Sequence, residues 1–188
     1  MMRVAARLAD DRRGVAALEL ALVAPLMLIM FFGVVEVTQL IRVSNKLDFA
    51  SQAIENIVAG QNPATVVSVT NAYQGGELVM APFVGTTNLA VTVASVIFDA
   101  SGNASLAWQI TEGGASAMSV ATACGLAKGL GLGSDSVILV QASYSYSAIT
   151  HYILPSSYAL SHVAYGRPRN ISTIAGVSSP TTAPVGSC

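Results

Sequence analysis

The sequence predicts an α+β protein in which a long N-terminal helix, membrane-crossing over its first half, packs on a small antiparallel β-sheet. Three observations carry this. An apolar run from Gly14 to about Val35 holds one charged residue, Glu19, and roughly 20 apolar residues suffice to cross a bilayer as a helix. Past Glu36, apolar residues recur in threes and fours at Leu40, Val43, Leu47, Ala50, Ile54 and Ile57, the stripe of an amphipathic helix. The distal part then changes to alternating runs rich in Val, Thr, Ser and Tyr, separated by Gly, Asn and Asp turns.

Composition agrees. Of 188 residues, 53% are hydrophobic and only 10% charged, more apolar than a soluble domain of this size. A formal net charge of −1 supplies no field for a polyanion, and no Lys/Arg cluster follows the first residues, so nucleic acid is not an expected partner. Residues 1–14 form a polar leader with Arg3, Arg7, Arg12 and Arg13 against Asp10 and Asp11. The other flank of the span carries Glu36, Arg42, Lys46 and Asp48. Excess Lys/Arg marks the cytoplasmic side, which places the N-terminus inside and everything after about Val35 outside. A secretory signal would have a shorter core with a small-residue cleavage site behind it; here the core is longer, and no Ala-x-Ala site follows directly.

The helix is expected over residues 15–59, its membrane segment over about 15–36. Gly60, Asn62 and Pro63 end it, giving about 45 residues and about 67 Å at 1.5 Å each. Pro25 inside the span removes a backbone donor, which either kinks the helix or is simply tolerated, as in many membrane helices. Residues 60–177 make the external domain. Ala64 to Tyr73 can be helix or strand, with helix preferred, ending at the Gly75-Gly76 pair. Asn88 to Phe98 and Ala104 to Ile110 form a hairpin around Asp99-Ala-Ser-Gly-Asn103. Gly113 to Gly133 is a loop with a short helix between Ser116 and Ala127. Ser136 to Ser147 is a strand, with Ile138, Val140, Ala142, Tyr144 and Tyr146 on one face. After Pro155, Ala159 to Tyr165 forms the last strand. Residues 178–188 are a Ser/Thr/Pro/Gly tail, disordered unless Cys188 pins it.

Arg13-Gly14 followed by Val-Ala-Ala-Leu-Glu-Leu-Ala-Leu-Val-Ala-Pro-Leu-Met-Leu, with Gly33 and Glu36 beyond, resembles the N-terminus of the TadE and TadG-like pseudopilins of tight-adherence (Flp, type IVc) pilus systems. The specific likeness covers residues 12 to 55; Leu20 departs from the Phe or Tyr that relatives often carry. The segment ending in Arg167-Pro168-Arg169 is loosely similar to the family's C-terminal part. The resemblance implies a pilin-like architecture and cleavage by a membrane-embedded prepilin peptidase between Gly14 and Val15. It also implies that Glu19, fifth in the mature chain, pairs with the α-amino group of Val15 on a neighbouring subunit. An amine with an ordinary pKa near 8 is mostly cationic at neutral pH, so such a pair would fix register in an apolar core. The expected partners are the membrane, the peptidase, other pilins or pseudopilins and the assembly platform. The expected place is the bacterial inner membrane, single-pass, with a periplasmic C-terminal domain.

Plainer readings stand beside these. Glu19 lies about one turn into the span and can snorkel to the headgroups, Gly14 can be a spacer, and Glu36 reads as a solvated boundary residue. Cys124 and Cys188 both fall in the external part, where an oxidising compartment favours a disulfide worth ~4 kcal/mol in the chain-entropy model; two unpaired thiols are the alternative. No catalytic constellation emerges. His151 and His162 are too isolated for metal ligation, Gly125-Leu-Ala-Lys-Gly lacks the pattern of a phosphate loop, and Asp99 to Asn103 has too few carboxylates for calcium. No enzyme activity, cofactor, metal or small-molecule substrate is expected. Tyr144, Tyr146, Tyr152 and Tyr158 read as sheet packing or an adhesive surface. The alternative function is an unprocessed single-span envelope protein with a binding domain.

Overall fold

A computed structural model describes residues 13–83, 89–148, 156–174 and 185–188. His151, Tyr152, Pro155 and the leader as far as Arg12 lie outside them. Helix α1 (Arg13–Ala59) is unbroken through Pro25. Gly60 and Gln61 close its end with backbone bonds to Ile57 and Val58. Helix α2 (Val66–Met80) starts on a reciprocal cap in which Thr65 and Ser68 satisfy each other's backbone N–H groups. It runs past Gly75-Gly76, where the sequence suggests an end. Gly76 serves packing, since a side chain there would run into Ile54 of α1.

The sheet is antiparallel throughout. Strands β1 (Ala90–Phe98), β2 (Ala104–Glu112), β3 (Ser136–Tyr146), β4 (Tyr158–Gly166) and the short β5 (Gly186–Ser187) lie in the order β4-β3-β1-β2-β5. The expected hairpin is present, its turn held by Asp99 Oδ1 accepting from the backbone of Ser101 and Asn103. Helix α3 (Val120–Ala127) falls inside the loop as expected and is capped by Ser119.

Two apolar layers follow. On one face, Val91, Val93, Trp108, Ile138, Val140, Ala142 and Tyr144 meet the stripe Val43, Leu47, Ala50, Ile54 and Val58 of α1 and Val69 and Met80 of α2. On the other face, Ala94, Val96, Leu106, Val137 and Leu139 meet Met118, Ala123 and Ala127 around α3. Burial on both faces explains why β3 opens as a continuous apolar run, Val137 to Val140. Leu106 and Trp108 lie on opposite faces although they are two apart, because the register shifts there. Ser95 faces Trp108 and Val96 faces Leu106, leaving Ala107 as the extra residue of a bulge.

Candidate functional site

Most of the first half of α1 leaves the domain. From Val15 to Val35 its large apolar side chains are exposed except for the half-buried Phe32, with Leu18 at 72% and Leu22 at 82%. Mean hydropathy reaches 2.4 over the most apolar 18-residue window, long and apolar enough to cross a membrane once. Glu19 is exposed on this projecting half and is its one charged residue past Gly14. Gly14 and Val15 sit in the first turn of the helix. Val15 and Glu19 are four residues apart and therefore share a helix face. Among the described residues the domain adds none to this group; Gly14, Val15, Glu19 and Pro25 all lie along one helix and are exposed.

Contact with the domain starts at Gly33 and Glu36. Glu36 is 2% exposed, which corrects its reading as a solvated boundary residue: α1 meets the sheet earlier than the charge pattern suggests. Burial and the nearby Glu36 carboxylate both push the Tyr146 hydroxyl above its ordinary pKa. Tyr144 and Tyr146 are core residues and Tyr144 donates to the Phe83 carbonyl at 2.5 Å, whereas Tyr158 is exposed at the sheet margin.

Farther along, polar contacts lock α1 to its neighbours. Lys46 Nζ donates to the carbonyls of Val79 and Ala81 at 3.0 and 2.6 Å, satisfying acceptors at the end of α2. His162 of β4 lies 3.1 Å from Ser44 Oγ and 3.9 Å from Asp48 Oδ1. The Arg167-Pro168-Arg169 motif is a staple. Arg169 donates its backbone N–H to Ala59 O at 3.0 Å and its guanidinium to Asn56 Oδ1, while Arg167 reaches Leu130 O and Asp135. Cys124 of α3 and Cys188 beside β5 are joined, Cα atoms 6.1 Å apart. Two backbone pairings of β5 with β2 and this bond hold the end of the chain that the sequence leaves conditional. Among the described residues, no group of three or more His, Cys, Asp or Glu could hold a metal.

The family model for TadE-like proteins matches residues 14–54. Over this segment the chain is similar to the TadE-like proteins. The matched segment is α1 from its first turn to within a few residues of its end, so it includes both the projecting half and the stripe that seats the domain. A TadE-like segment implies involvement in a tight-adherence pilus system. No curated protein and no solved structure matched the chain.

Proposed function

We propose that this chain is a minor pilin or pseudopilin of a tight-adherence (Flp, type IVc) pilus system, cut by prepilin peptidase between Gly14 and Val15. The mature N-terminal helix enters an initiation or assembly complex by helix packing, and Glu19 pairs with the α-amino group of a neighbouring subunit. The domain then sits in the periplasm and serves assembly, capping of the fibre or surface adhesion. On this reading the chain is an enzyme's substrate and not an enzyme.

The observation that carries the reading is the coincidence of the TadE-like match with an exposed apolar half-helix bearing one acid, five residues past a glycine. A carboxylate in such a run is costly without a cation to meet it. The test is intact mass with N-terminal sequencing of the chain from membranes of its native host, beside a Gly14→Ala variant. A native chain starting at Val15 and a variant that keeps its leader support processing. A native chain that retains the leader supports the second reading, a permanent single-span anchor. One observation favours that reading: the bond between Gly14 and Val15 lies in helical backbone, where a protease would need to unwind it.

A further inference from the structure

A groove of about 320 Å³ runs between α1 and the outer edge of β4, walled by Asp48, Gln52, Glu55 and Asn56 on the helix and by residues 163–165 on the strand. β4 is the outermost strand on that side, so among the described residues no strand lies beside one row of its backbone N–H and C=O groups. Edges of this kind are usually blunted by a proline, a charge or a bulge. β4 reads Tyr-Ala-Leu-Ser-His-Val-Ala-Tyr-Gly, with no proline, lysine, arginine or carboxylate, and its register with β3 is continuous from Tyr158 to Gly166.

The groove also holds a carboxylate that the fold leaves unmatched. Glu55 is 8% exposed, and among the described residues no hydrogen bond or ion pair reaches it. Arg169 acts on it only through space, its guanidinium being engaged by Asn56. Asp48, about two turns earlier on the same helix, accepts from Gln52 at 3.1 Å and faces His162. A strand laid beside β4 would extend the sheet beneath this polar flank of α1 and set the side chains of one face against Asp48 and Glu55. A desolvated carboxylate gains most from a cation with good geometry.

We propose that this groove takes an extended segment of a partner protein, hydrogen-bonded to the free edge of β4 and carrying a lysine or arginine whose cation reaches Glu55. A second copy presenting its own β4 does not fit. α1 and β4 run in the same direction, since Ser44 and Asp48 lie at His162 while Glu55 lies at Gly166. Antiparallel pairing of two such edges needs a two-fold axis perpendicular to the sheet, which would point the two membrane-crossing halves in opposite directions. The partner is therefore a different strand, bound by sheet extension with a basic side chain for specificity. The proposal does not depend on cleavage at Gly14, so either can fail without the other.

The experiment uses the full chain in detergent and fluorescein-labelled nine-residue peptides of alternating threonine and valine. One has a central lysine, one a central glutamate, and one has the lysine and N-methyl groups on alternate backbone nitrogens. Fluorescence anisotropy should show saturable binding of the lysine peptide, weaker by about tenfold or more for the glutamate peptide, the N-methylated peptide and the Glu55→Gln protein. Added salt should weaken the lysine peptide's binding. No saturable binding of the lysine peptide, equal binding of lysine and glutamate peptides, or indifference to N-methylation would overturn the proposal. An unchanged circular dichroism spectrum for Glu55→Gln separates lost binding from lost folding.

Discussion

The carboxylate of Glu55 on α1 occupies the space that a side chain at Gly166 of β4 would need. Helix and strand meet at this point with nothing between them but a glycine Cα. Gly166→Ala should therefore force Glu55 toward solvent and destabilise the domain by about 1–3 kcal/mol, the usual range for overpacking. Chemical denaturation of the single variant and of Gly166→Ala with Glu55→Ala checks this. The second change should recover part of the loss, because the two sites share one space.

Burial raises the Glu55 pKa, and Arg169 only partly opposes it. The folded protein thus binds the proton more tightly than the unfolded chain does. Its penalty is absent at low pH and grows as pH climbs through the unfolded and then the folded pKa. Glu55→Gln should consequently raise the melting temperature at pH 7 relative to wild type and lose that advantage near pH 4. An advantage that is the same at both pH values would show that charge is not the cause.

Deleting Ala107 should cost little, although it shortens a strand. Leu106 and Trp108 then become neighbours, and strict alternation sends neighbours to opposite faces, where the bulge already holds them. The check is near-ultraviolet circular dichroism of Trp108 together with urea unfolding. The deletion should keep the Trp108 signal and cost no more than about 1–2 kcal/mol, and Ala107→Ser should leave both nearly unchanged. A lost signal with a loss of about 3–5 kcal/mol, the cost of taking a large side chain out of its layer, would show that the bulge itself is needed.

Replacing Cys188 or Cys124 by Ser should each lower stability by about 2–4 kcal/mol. Because the two act as one bond, the double variant should be no worse than either single one. Thermal melting with and without reductant measures this, and reductant should affect the wild type alone.

What the amino-acid sequence makes legible depends on the range of the interaction. The length of α1, the hairpin and β3 follow from local periodicity and turn chemistry, and Gly14 and Glu19 stand out because their neighbours in the apolar run are not polar. Glu36 reads wrongly as solvated because a charge at the end of an apolar run says nothing about which strand will cover it. Gly75-Gly76 resembles a stop because the approach of Ile54 comes from another helix. The Ala107 bulge and the groove at β4 arise from register and strand order, neither of which leaves a mark in residues read one window at a time. Arg167 and Arg169 stand out as a motif, but their partners lie 37 and 113 residues away, beyond the reach of any local pattern.

The direction shared by α1 and β4 has a mechanical consequence. A pull applied to the projecting half of α1 passes along one continuous helix into the domain. It acts parallel to the buried stripe from Val43 to Val58 and to the contacts of Lys46, Asp48 and Asn56. Those contacts are then sheared together instead of being peeled one after another. Resistance to forced unfolding is set by the rate of crossing that barrier and not by equilibrium stability. A domain held in this way can bear tension on its membrane helix without yielding at its first contact.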